Sequence, residues 1–107
     1  MNKENIGRLQ ELYDLFTSEP DKDFEPGELV TWKDGLRNRA FPKDGFPAIV
    51  INKLAEPIYA DGYYSTDSNY RDRLDIICGV VSEPQSEHEP EAFLLFYYDS
   101  RRLQHFE

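Results

Sequence analysis

The residues best equipped for chemistry crowd one stretch, GELVTWKDGLRNRAFPKDG, from Gly27 to Gly45. Lys33, Arg37, Arg39 and Lys43 stand there against Asp34 and Asp44, a local net of +2 in a chain whose formal charge is −9. Such a loop can dock phosphate or carboxylate groups locally. Its plain alternative is a solvated turn that balances nearby acids. A second set lies in DGYYSTDSNYRDR, where Tyr63, Tyr64 and Tyr70 alternate with polar residues and are followed by Arg71 and Arg73. Aromatics interleaved with arginine stack on bases or rim a protein interface, and equally they fold back to stabilise a long loop.

Other chemistries lack their residues. His88 and His105 lie 17 positions apart, and Cys78 is the single cysteine, so no metal-ligand spacing exists. The run Asp21-Lys22-Asp23-Phe24-Glu25-Pro26-Gly27 begins like a calcium loop, but its glycine falls one place late and Trp32 occupies the position of the bidentate glutamate. Cys78 sits among Ile76, Ile77, Val80 and Val81, where nothing lowers a thiol pKa, so a small core residue is the reading. Ser100 neighbours Asp99 without a histidine tied to them, and the six glycines are scattered singly. The expectation is a chain that is not an enzyme and needs no cofactor or metal.

The elements that must position these residues follow from periodicity. NKENIGRLQELYDLFTS reads as an amphipathic helix, with Ile6, Leu9, Tyr13 and Phe16 at steps of three and four and Leu12 and Leu15 widening the stripe. Residues 19–27 form an acidic, proline-bearing linker. Beyond it the period shortens to that of strands: ELVTWK (28–33), FPAIVINKL (46–54), LDIICGVVS (74–82), EAFLLFYY (91–98) and a short closing LQHFE. Residues 55–73 read as a long polar connection, 84–90 as a hairpin loop rimmed by Glu87 and Glu89, and 99–102 as a tight turn. Trp32 reads as a partly buried anchor. Tyr97 and Tyr98 point to opposite faces, so only one of them can be core.

A length of 107 residues bounds the chain to one domain with one core. Residues 1–28 carry eight acids against three bases, a local net of −5. A strongly negative total repels nucleic acid at long range. No apolar run approaches the roughly 20 residues of a membrane span, and MNKENIGRLQ lacks the apolar core of a signal peptide, which together suggest a cytoplasmic protein with no membrane partner.

The order of strands and spacers resembles the SH3-like small β-barrel. Pro26-Gly27-Glu28-Leu29-Val30 is similar to that family's opening turn and strand, Lys33–Gly45 to its long first loop, residues 84–90 to its distal hairpin, and Asp99-Ser100-Arg101-Arg102 to its single 3₁₀ turn. The opening also resembles KOW-type barrels, through Gly45 and the apolar strand after it. An OB-fold barrel and a β-sandwich fragment are the alternatives. The resemblance implies a mainly β fold: a five-stranded SH3-like barrel over 28–107, preceded by one amphipathic α-helix (1–18) packed on it. It also implies that the first loop flanks one groove with the loop after the second strand, bringing Arg37, Arg39 and Lys43 towards Tyr63, Tyr64 and Tyr70. The chain lacks the aromatic first-strand motif and acidic loop of proline-peptide SH3 domains. The expected function is a protein-interaction module binding an acidic or extended partner segment through the first loop. The alternative is a KOW-like barrel meeting RNA or DNA with the same loop, which the net charge disfavours.

Overall fold

A computed structural model describes residues 3–61, 71–82, 88 and 90–107. One helix, α1 (Lys3–Thr17), precedes strands β1 (Leu29–Trp32), β2 (Ala48–Asp61), β3 (Arg71–Ser82) and β4 (Ala92–Tyr98); a 3₁₀ turn, η1 (Ser100–Arg102), then leads into β5 (Leu103–His105). The strands form one antiparallel sheet in the order β4-β3-β2-β1-β5. The mainly β class therefore holds, with a correction. Among the described residues the two edges, β4 and β5, do not pair with each other, so the sheet is open and not closed into the expected barrel. A fifth strand of three residues, delivered by η1 to the far side of β1, has too little ladder to close it.

The apolar runs form strands because alternate positions can be buried. Val30, Trp32, Ala48, Val50, Ile76, Cys78, Val80, Tyr98 and Leu103 make the core, joined by Phe24. Trp32 is fully inside: its indole N–H donates to the Pro42 carbonyl at 2.6 Å and its ring meets Tyr98 edge-on at 5.6 Å. Tyr98 is the core member of its pair and Tyr97 the outward one. Burial of Phe24, with Lys53 holding Asp23 at 2.7 Å, ties the acidic 19–27 segment to the sheet.

Two expected boundaries change. β2 and β3 continue through 55–61 and 71–73, which read as loop because they are polar and contain Pro57. The ladder shifts register between Lys53 and Ile58, so Pro57 sits in an irregularity where its missing N–H costs no rung. The loop expected at 84–90, with Glu87 and Glu89, falls almost wholly outside the described residues.

The helix also turns differently from its pattern. Ile6, Leu9 and Tyr13 are exposed, while Leu12, Leu15 and Phe16 are half-buried. Contact comes instead through η1 and the first loop: the Arg101 and Arg102 guanidiniums lie 4.6 and 5.3 Å from the Phe16 ring centre, and Arg8 and Leu12 press on Gly35. Gly35 has φ +79°, a conformation that glycine adopts without strain, and a Cβ there would have to push aside the ends of the Arg8 and Leu12 side chains.

Candidate functional site

The first loop, residues 33–47, covers the buried face of the sheet and distributes its charges separately. Lys33 is buried. Its ammonium donates to the Leu15 carbonyl at 2.5 Å, the Ser18 carbonyl at 2.9 Å and the Ser18 hydroxyl at 3.2 Å. All three donors are thereby spent on the C-terminal end of α1, where a cation also suits the helix dipole. Burial pushes the Lys33 pKa below its ordinary value, with the Asp99 charge opposing in part.

Arg37 is spent on the loop itself. It donates from Nε to the Arg39 carbonyl at 2.9 Å and from Nη2 to the Ala40 carbonyl at 2.7 Å, and pairs with Asp44 at 3.2 Å. Arg39 reaches Asp72, which is buried at the start of β3, at 3.3 Å. That bridge brings the first loop beside the strand carrying Arg71 and Arg73. Arg73 in turn donates to Asp75 at 2.9 Å. Tyr63, Tyr64 and Tyr70 lie outside the described residues.

Asp75 and Asp99 complete a polar seam. Asp75 accepts from the Ser100 N–H at 2.7 Å and its hydroxyl at 2.6 Å, while Asp99 caps η1 and accepts from the Arg101 guanidinium at 2.7 Å. Buried carboxylates need such partners, and here each has two or more. Ser100 beside Asp99 is thus part of a turn, and the Ser100 hydroxyl is held by Asp75. Cys78 is buried, and its thiol is pushed up to about 12 by desolvation and then by the Asp75 charge, which leaves no thiolate at neutral pH.

An apolar cleft of about 390 Å³ lies where the far half of the loop meets the sheet. Phe41, Pro42, Phe46 and Pro47 form one wall, and Leu29, Ile49, Val81 and Phe93 the other; Lys43 and Glu91 also line it. The register builds the second wall: Leu29 stands opposite Ile49, Ile49 opposite Gly79, and Gly79 opposite Leu95. Gly79 matters because the Phe93 ring lies over it, in space a Cβ would fill. Phe46, at 52% exposure, is an aromatic presented to solvent at the mouth. Among the expected site residues that the structure describes, only Lys43 lines this cleft. The others that built it were missed, although the repeated Phe-Pro of FPKDGFP, residues 41–47, offered a signal hidden under the loop's charge.

No known protein family, curated protein or solved structure matches the chain. Among the described residues no helix is long and apolar enough to cross a membrane.

Proposed function

We propose that the chain is a non-catalytic protein-interaction module whose first loop and adjoining sheet take an extended partner segment. The cleft between Phe41–Pro47 and Leu29, Ile49, Val81 and Phe93 carries this reading. It offers a concave apolar floor for one anchoring side chain, and Lys43 favours an acidic neighbour in the same segment. Lys33, Arg37 and Arg39 hold the loop in shape, and their partners lie within the chain. The SH3-like reading of the fold belongs to the same proposal. It is supported by the order β4-β3-β2-β1-β5 and by the single 3₁₀ turn that returns a short fifth strand beside the first. A nucleic-acid role is disfavoured by the −9 charge and by the scarcity of phosphate-facing cations at the cleft.

Selection from a displayed random-peptide library tests the proposal. Enriched peptides are expected to share an aromatic or aliphatic anchor beside an acid. Their addition should shift the amide resonances of Phe46, Val81 and Phe93, and Phe46→Ala should weaken binding about tenfold or more, the scale of a truncated anchor. Failure to enrich any peptide, with single-stranded RNA or DNA shifting the same resonances instead, overturns it.

A further inference from the structure

We propose that two copies of this chain associate through β4, edge to edge and antiparallel, about a two-fold axis near Leu95. β4 pairs with β3 in unbroken register from Ser82–Ala92 to Ile76–Tyr98, and its other side has no strand partner among the described residues. Sheet edges are ordinarily protected by charge, proline, bulges or brevity. The other edge, β5, is three residues long. β4 has seven residues, AFLLFYY, with no charge, no proline and no register shift. Phe93, Leu95 and Tyr97 project from one face of it at 60%, 53% and 45% exposure, beside exposed Val81 on β3. An edge this long, flat and apolar is built to be paired.

A second copy is the occupant the strand itself fits. The outward set, aromatic–leucine–aromatic, reads the same in both directions, so antiparallel pairing about Leu95 sets each Phe93 across from the other copy's Tyr97. At their observed exposures Phe93, Leu95, Phe96 and Tyr97 with the strand edge offer at most about 500 Å² a copy, or about 1,000 Å² over the pair, the lower bound for a specific interface. A self-complementary patch closes at two subunits. Because each copy carries a charge of −9 and the strand itself is neutral, added salt should strengthen the association by screening repulsion.

Sedimentation velocity of the full chain, over a dilution series and at low and high salt, tests this. A species of twice the 12.6 kDa chain mass is expected, its share rising with concentration and with salt. Leu95→Lys should return it to 12.6 kDa while Trp32 fluorescence stays as in the parent chain. Leu95→Cys should cross-link to a covalent dimer under mild oxidation, and Ala92→Cys, which faces the other copy's Tyr98, should not. A monomer at every concentration and salt overturns the proposal. So does a dimer that survives Leu95→Lys and fails to cross-link through position 95, since that dimer uses another surface.

Discussion

The two ends of this molecule treat charge and apolar surface in opposite ways. Around α1 and η1, charged groups are drawn inward and matched: Lys33 on the helix end, Asp75 on Ser100 and Arg73, Asp99 on Arg101. Around the cleft and β4, apolar groups face outward without cover: Phe46, Phe93, Leu95 and Tyr97. Unpaired buried charge is costly, so the first end had to satisfy itself, and once satisfied it has little left to offer a partner. Exposed aromatics gain by leaving water, so the second end has binding free energy still unspent. The basic residues that stand out in the sequence hold the loop in shape, and the quieter phenylalanines line the cleft.

Both ends rest on one core, and its titration should show the largest effect. Desolvation raises Cys78 from 9.0 to about 12 and raises the Tyr98 phenol as well. The unfolded chain therefore gives up these protons first. The Cys78 contribution is flat below pH 9 and lowers stability by about 1.4 kcal/mol per pH unit above it, about 4 kcal/mol by pH 12. Lys33 acts in the opposite sense, because its depressed pKa lets the folded state shed a buried charge before the unfolded one does. Denaturant unfolding at a series of pH values should show the loss, and Cys78→Ala should reduce its slope. If helical circular dichroism and Trp32 fluorescence fall at different pH values, the two ends do not share a core and the contrast between them needs redrawing.

A mutation at each end separates the roles more finely. Lys33→Met leaves the Leu15 and Ser18 carbonyls without their donor and should cost about 2–3 kcal/mol, with early loss of helical signal on denaturant titration. Phe46→Ala, half exposed, should change stability by less than about 1 kcal/mol while weakening peptide binding. The reverse outcome, a harmless Lys33→Met and an unfolding Phe46→Ala, would exchange the two ends.

Sequence reasoning reached the parts of this fold that burial dictates. Val50, Ile76, Cys78, Val80 and Tyr98 sit in the core because β-branched and aromatic runs have few other places to go. It stopped where a strand has little to bury: residues 55–61 and 71–73 extend a hairpin whose composition reads as loop, and only pairing between β2 and β3 makes them strands. The helix gave its period but not its orientation, since Phe16 is chosen by arginines some 85 positions away in the chain. The buried fate of Lys33 was equally invisible, because a lysine's partner is fixed by where the helix ends in space. At the cleft, the charges of Arg37 and Arg39 are plain in the sequence, whereas the role of Phe41 and Phe46 depends on the loop bringing them to one cleft with Ile49 and Val81.

Arg37 allows the smallest and most discriminating test of the contrast. Its guanidinium serves two carbonyls of its own loop and one exposed carboxylate, Asp44, at 3.2 Å. An ion pair open to solvent contributes about 0–1 kcal/mol, and the two carbonyl contacts add modestly to that. Arg37→Gln should thus lower stability by about 1 kcal/mol and leave affinity for a selected peptide within about twofold, as expected of a residue that shapes the loop without meeting the partner. Lys43→Gln should instead reduce affinity for acid-bearing peptides about threefold to tenfold, more at low salt than at high. If instead Arg37→Gln carries the salt-sensitive loss and Lys43→Gln does not, the basic loop is itself the binding wall. The cleft would then be a by-product of packing Phe41 and Phe46 against the sheet.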